Sequence, residues 1–399
     1  MRMAFLSIHS SPLGKAGGKD TGGMSTYLRG LSRALGEAGH RIDLFTRPVG
    51  AAEDTVRKLS PNVRLVRPED GLGPLAKNEI YPYCDAIAES IDRFCRRENG
   101  GYHFIFSHYW LSAVVGQNLR QSWNIPHLVM FHTLGRAKNE SCPGENEPLL
   151  RLKVEEDLAR KSDLLVAAAK QEKEKLLRYF APDRQKIAVI PCGIDRTLFR
   201  PLDPRCRRQV KQQIGAGKQK IILAVGRIEP VKGFDLLLKA AALLPAEDNF
   251  KLLIIGGDGQ SSTAVGRLKE TAAALGLAGK VHFTGVVDHD LLPLYYNAAD
   301  VTVLASFYES CGLVALESLA CGTPVAAAPV GIVPELLYST RYDSFGCLIN
   351  GRNPESWAAK IRELLLRPEK ISPAEIDTRL APYNWANAAS GLESAMRGR

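Results

Sequence analysis

Short apolar runs rich in β-branched residues alternate along the chain with longer segments whose apolar positions recur every three or four residues. That alternation predicts parallel strands joined by crossover helices. In the first half the strands are expected at Met3–Ile8, Arg41–Thr46, His103–Ser107, Leu128–His132, Leu164–Ala168 and Ile187–Pro191. The second half repeats the rhythm at Ile221–Val225, Lys251–Ile255, Val281–Thr284, Val301–Ala305 and Pro324–Ala328. Each half therefore holds enough strands for its own doubly wound α/β sheet. Between them, Gly193–Gly217 carries Pro201, Pro204 and the cluster Arg205, Arg207 and Arg208, which reads as a linker. The expected division is 1–205 and 206–382, with 383–399 as a closing segment. Two such sheets facing each other leave a cleft at their strand C-terminal ends, where ligands of open α/β sheets bind.

Composition narrows the function. With 399 residues, 45% hydrophobic and 24% charged, the chain matches an ordinary globular protein of two or three domains. The net charge of +9 permits acidic partners. Because the 52 Lys and Arg are spread among 43 acids with no basic and aromatic cluster, a nucleic-acid binder is not expected. The eight cysteines are scattered with no C-x-x-C pair, which suits free thiols in the cytoplasm better than zinc or disulfides. Met3–Ile8 is too short for a signal-peptide core, and Leu313–Leu337 is interrupted by Glu317, Pro324, Pro329, Pro334 and Glu335, so no transmembrane segment is expected.

Four segments carry candidate chemistry. The glycine-rich turn 14–23 leads into Met24, Tyr27, Leu28, Leu31 and Leu35 at helical spacing, which puts Gly23 at a helix N-terminus. Free amides and the positive end of the helix dipole there suit a phosphate. The turn is not G-x-G-x-x-G, so a nicotinamide site is not indicated. Arg227 and Lys232 lie together in the first strand-to-helix turn of the second half, where two cations invite a shared diphosphate. Glu309 and Glu317 bracket Ser310, Cys311, Gly312 and Leu313 at the start of an apolar helix stopped by Gly322-Thr323-Pro324. Carboxylates so placed accept hydrogen bonds from sugar hydroxyls, while the amides between them can hold phosphate. His132 is expected at a strand end facing the cleft. Asp288-His289-Asp290 has the look of a metal-binding D-x-D, yet it precedes a helix and reads as N-capping, so no metal site is expected there.

Together these segments resemble the family 4 retaining glycosyltransferases of the GT-B fold over nearly the whole chain. The most specific part is Gly226–Phe234 combined with Glu309–Pro324, which is similar to that family's E-x7-E signature. The resemblance implies a UDP-sugar donor in the second domain, an acceptor in the first, and a last helix, Tyr383–Met396, crossing back. It implies that Arg227 and Lys232 grip the diphosphate and Glu317 the ribose. Glu309 would contact the transferred hexose or N-acetylhexosamine, and Ser310–Leu313 would fix sugar and phosphate. Gly23 would lend an amide, and His132 would stand near the reacting carbon. Cys311 replaces the family's usual phenylalanine.

In the first domain, Ser107–Ser112, His132–Leu134 and Glu147–Arg151 are most similar to the branch that glycosylates inositol phosphate, and next to sucrose-phosphate synthases. This implies a phosphate pocket of Lys77, Tyr109, Thr133 and Arg151, with Asp20 and Ser25 beside the acceptor ring. Ser25 stands where that branch carries asparagine, so inositol phosphate, fructose 6-phosphate and a lipid or glycan acceptor all remain open. No cofactor beyond the donor is required by the resemblance, and a homodimer is compatible with it.

Overall fold

The computed structural model describes residues 1–13, 22–48, 54–98, 100–142, 144, 146–258, 261–337, 343–367 and 370–397. Asp20 and most of the turn 14–23 lie outside them. In the first half the strands are β1 (Arg2–Leu6), β2 (Arg41–Phe45), β3 (Val56–Ser60), β4 (Val63–Val66), β5 (Phe104–His108), β6 (His127–Met130), β7 (Leu164–Ala167) and β8 (Ile187–Val189). They form one sheet in the order β3-β4-β2-β1-β5-β6-β7-β8, parallel except for β3 against β4. Strands β9 (Lys220–Val225), β10 (Phe250–Ile255), β11 (Val281–Gly285), β12 (Val301–Leu304), β13 (Val325–Ala327) and β14 (Gly346–Leu348) build the second, in the order β11-β10-β9-β12-β13-β14.

Helices α1 (Gly23–Glu37), α2 (Cys84–Arg97), α3 (Trp110–Trp123), α4 (Gly135–Ser141), α5 (Leu149–Lys161) and α6 (Lys170–Phe180) accompany the first sheet. They are followed by α7 (Pro204–Gln213), α8 (Phe234–Ala242), α9 (Ser262–Ala274), α10 (Leu292–Ala298), α11 (Leu313–Ala320), α12 (Val333–Leu337), α13 (Pro354–Leu365), α14 (Pro373–Leu380) and α15 (Trp385–Met396). The central strands β1, β5, β9 and β10 are mostly apolar and buried because helices cover both faces, as in other parallel sheets.

Three elements depart from the expectation. The hairpin of β3 and β4 was not read from the sequence, because Val56–Ser60 is charged and largely exposed at the sheet edge. Strand β14 is only three residues long at the opposite edge. The segment read as a linker contains α7, whose first turn is capped by Asp203 accepting from the Arg205 amide, with Pro204 at the first helical position.

The chain closes on itself through α15, which lies against α1. A Cβ on Gly30 would come within 2.1 Å of the Trp385 ring, so only glycine lets the indole seat. Tyr27 meets the same ring edge-on at 5.7 Å, and His40 Nε2 pairs with Glu393 at 2.8 Å. Gly30→Ala is expected to destabilise the protein by roughly 2 kcal/mol, the cost of overpacking a filled core position. Urea denaturation of both proteins measures it, and an unchanged midpoint would mean that the indole is free to move.

Candidate functional site

The two sheets face each other across a cavity lined from both sides. Its floor is made where helices begin. A Cβ on Gly23, the first residue of α1, would stand 3.3 Å from Leu313 Cδ1 at the first residue of α11, so two helix N-termini meet across the cleft. Their leading amides have no carbonyl to bond within the helix. Both dipoles are positive at this point, so an anion there is favoured.

Arg227 and Lys232 stand beside these termini, and the sequence had suggested that they need a shared anion. The protein supplies carboxylates instead: Arg227 Nη1 lies 2.8 Å from Glu229 Oε1, and Lys232 Nζ lies 2.6 Å from Glu309 Oε1. Glu309 also accepts from Ser306 Oγ at 2.8 Å. Burial works to raise the Glu229 pKa, but Arg227, Lys232, Lys138 and Lys77 outweigh it and hold the carboxylate below its ordinary range. Two of those cations reach Glu229 from the first half of the chain. Its Oε2 is buried with no hydrogen-bond partner among the described residues.

Glu317 lies one face along α11 and is nearly buried. It accepts from Tyr296 Oη at 2.7 Å and pairs with His289 Nε2 at 2.8 Å. The second contact corrects the reading of Asp288-His289-Asp290. Asp288 does occupy the cap position of the short turn His289–Leu291, but its side chain makes no cap hydrogen bond; the working residue of the triplet is His289. Among the described residues no group of His, Cys, Asp and Glu could hold a metal ion. Ser310, Cys311, Gly312 and Leu313 all line the cavity. Cys311 is buried, and burial followed by contact with Cys192 from the other half pushes its thiol well up.

On the opposite wall stand Lys77, Tyr109, Thr133 and His132. Lys77 Nζ is 4.7 Å and the Arg151 guanidinium 4.9 Å from the centre of the Tyr109 ring, and the His9 ring packs on it at 4.2 Å. Tyr109 and His132 both have positive φ, 78° and 58°, an uncommon conformation for residues with a Cβ. His132 was expected to end a strand; β6 stops at Met130 and His132 lies two residues further on.

Two expected acceptor residues are not on the wall. Ser25 is buried and bonds the Ser11 carbonyl at 3.3 Å, because two residues along a helix is a turn of about 200° away from Gly23. Arg151 is 1% exposed. Its Nε bonds Glu155 at 2.6 Å, its Nη1 pairs with Glu147 at 2.8 Å, and its Nη2 donates to the Thr133 carbonyl at 2.7 Å and hydroxyl at 3.0 Å. It thus fixes Thr133 from behind. Conversely, His9, Thr26, Lys138, Glu229 and His289 line the cavity and were not singled out.

One buried acid beneath the cleft bears on stability. Glu172 on α6 is pushed up to about 7 by burial, which the Ala168 amide at 2.6 Å and Lys175 only partly offset. The folded protein therefore binds a proton that the unfolded chain releases near 4.5, and stability falls as pH rises from there to about 7. Glu172→Gln should be isostable with the parent below pH 4.5 and more stable by up to about 3 kcal/mol above pH 7. Urea denaturation at both ends of the range checks this; a gain that does not grow with pH would overturn it.

Two facing parallel sheets, with helix N-termini, cations and paired acids converging between them, define a sugar-transferring enzyme of the GT-B fold, and the chain belongs to the family 4 glycosyltransferases. Residues 21–198 match the model described as Glycosyltransferase Family 4, and residues 207–378 match Glycosyl transferases group 1. Among curated relatives it is 36% identical to the D-inositol 3-phosphate glycosyltransferase of Geodermatophilus obscurus, over 99% of this chain and 88% of that one. It is 35% identical to the enzyme of the same name from Rhodococcus opacus, over 99% and 90%. Among solved structures it is similar to the sucrose-phosphate synthase of Thermosynechococcus elongatus, with 30% identity, a TM-score of 0.89 and coverage of 99% and 98%. Anabaena HepE in complex with UDP and glucose shares the fold at 19% identity, a TM-score of 0.78 and full coverage of both chains.

Proposed function

We propose that this glycosyltransferase is a retaining, cytoplasmic hexosyltransferase. It moves a hexose or N-acetylhexosamine from a UDP-sugar to a small phosphorylated acceptor, inositol phosphate in first place, and needs no metal or other cofactor. The observation that carries the reading is the convergence of the α1 and α11 N-termini with Arg227 and Lys232, opposite a wall bearing Lys77, Tyr109 and Thr133. The names of the curated relatives support the acceptor class, and the UDP and glucose held by HepE support the donor class.

In this reading residues 206–382 take the donor and 1–205 the acceptor, with 383–399 returning to the first domain. Arg227 and Lys232 exchange Glu229 and Glu309 for the diphosphate, aided by Gly23 and the amides of Ser310–Leu313. Glu309, relieved of Lys232, accepts from a hydroxyl of the sugar. Glu317 takes the ribose hydroxyls. Lys77, Tyr109 and Thr133 hold the acceptor phosphate, with Arg151 keeping Thr133 in place from behind. Charge developing on the departing UDP is stabilised by preorganised donors in a site from which closure excludes water. The leaving phosphate oxygen receives the acceptor proton. His132 faces the reacting carbon.

Purified protein incubated with UDP-glucose or UDP-N-acetylglucosamine and inositol 3-phosphate should release UDP only when the acceptor is present, and the product anomer should keep the α configuration of the donor. Release independent of any acceptor, or a β product, would overturn the reading. The likeness to sucrose-phosphate synthase favours fructose 6-phosphate as the second acceptor to try.

A further inference from the structure

His132 does not stand alone. Strand β5 ends at His108, which is wholly buried, and the kinked Tyr109 that follows donates its amide to the Met130 carbonyl at 2.8 Å, tying the ends of β5 and β6 together. The two histidine rings meet as a result. His108 Nδ1 lies 2.8 Å from His132 Nε2, with ring centres 5.1 Å apart. Only one of these nitrogens can carry the shared hydrogen, since burial holds both rings neutral: His108 well below its ordinary value, with His132 adding to the effect, and His132 down to about 3.

The other nitrogen of His108 decides which. Its Nε2 is buried without a hydrogen-bond partner among the described residues. The ring is walled by Phe106 at 4.2 Å, Phe5 at 5.4 Å and Tyr27 at 5.9 Å. If His132 donated its Nε2 hydrogen, neutral His108 would carry its own on Nε2 and strand an N–H against carbon. If His108 donates from Nδ1, only a lone pair is left there. Orphaned buried N–H groups are the rarer of the two. His132 must then carry its hydrogen on Nδ1, the nitrogen that His108 leaves free on a ring lining the cavity.

We propose that His108 is a positioning residue that fixes His132 as the Nδ1–H tautomer, so that the ring offers the transferred sugar a hydrogen-bond donor and not a base. The role rests on the reading that His132 faces that sugar. A neighbour that sets the tautomer of a functional histidine through its other nitrogen is a general device.

The tautomer is read in the resting protein by long-range proton–nitrogen correlation on full-length chain labelled with 15N-histidine. His132 should show a protonated Nδ1 and an unprotonated Nε2; the reverse pattern overturns the proposal whatever the enzyme's substrates are. Turnover supplies the second arm. His108→Phe fills the apolar slot but deletes the donor, whereas His108→Asn keeps a side-chain amide near the Nδ1 position and leaves a void. Turnover should fall about tenfold or more in the Phe variant, the scale of one lost hydrogen bond, with the KM for the donor within about twofold. The Asn variant should turn over faster than the Phe variant while melting at a lower temperature. Turnover that instead follows melting temperature across the two variants, or a Phe variant as fast as the parent, would show a purely structural histidine and overturn the assignment. Absence of glycosyl transfer in the parent would count against the proposed function and leave the spectroscopic result standing.

Discussion

Lys232→Ala is expected to lower the rate of UDP release by roughly two to three orders of magnitude, the usual loss when one preorganised stabiliser of a developing oxyanion is removed. Its delivery is rigid. Lys232 ends the turn Pro230–Lys232, and the next residue, Gly233, has φ +69° and sits so close to the second sheet that a Cβ would lie 2.2 Å from the Ala305 carbonyl oxygen. The turn is packed against the sheet, and the ammonium it presents to the cleft is held by Glu309 in the resting protein. Removing it also strips Glu309 of its partner at 2.6 Å, leaving a carboxylate that accepts from Ser306 beside the position assigned to the phosphates. That repulsion adds to the loss. Single-turnover UDP release at saturating donor separates this from binding, and the melting temperature should stay near that of the parent because Lys232 is part-exposed. A variant that turns over within a few-fold of the parent would remove Lys232 from the diphosphate site.

The alternation of apolar runs made the two sheets legible because central parallel strands are buried on both faces, as β1, β5, β9 and β10 are. The same signal is silent at the edges. Val56–Ser60 pairs through its backbone while its side chains meet water, and α7 buries only Val210, so neither leaves an apolar stripe to read. The closing helix was implied by the family resemblance, but the niche at Gly30 that receives Trp385 was not, since a glycine gives no sign of what approaches it.

The residues that line the candidate site were legible where chemistry follows from local position. Gly23 and Glu317 sit in the first turns of α1 and α11, Arg227, Lys232 and Glu309 sit in the strand-to-helix connections after β9 and β12, and strand ends face the cleft. What the sequence withholds is pairing. Arg227 pairs with Glu229 and Lys232 with Glu309, and Glu317 is met by His289 from another loop. These contacts depend on how loops far apart in sequence fold over one another. Ser25 and Thr26 illustrate the limit at its smallest scale: adjacent on α1, one bonds the Ser11 carbonyl behind the helix and the other lines the cavity.

Arg151→Leu should destabilise the protein by about 3–5 kcal/mol, the cost of breaking a buried charge pair by deleting one partner. The guanidinium is inaccessible and answers two acids at once. Glu155 is fully buried; burial raises its pKa, and Arg151 with the Gly135 amide at 2.9 Å opposes that rise. Glu147 lies nearer the surface, where burial is outweighed by Arg151 and Lys138, which hold it at about 2 against an ordinary 4.5. A carboxylate held low contributes stability above the unfolded value and loses it as pH falls, so the parent should weaken between pH 4.5 and about 2. In Arg151→Leu that part of the acid slope should shrink to what Lys138 sustains, while at neutral pH Glu155 loses its cation and keeps the Gly135 amide. Urea denaturation across this range measures both effects. The same variant also separates two roles for Arg151. A residue whose task is to hold Thr133 and neutralise buried acids takes stability with it when removed. A residue that touches the acceptor phosphate directly would raise the acceptor KM and leave the urea midpoint where it was, and that outcome would mean the guanidinium leaves its acids in the working enzyme.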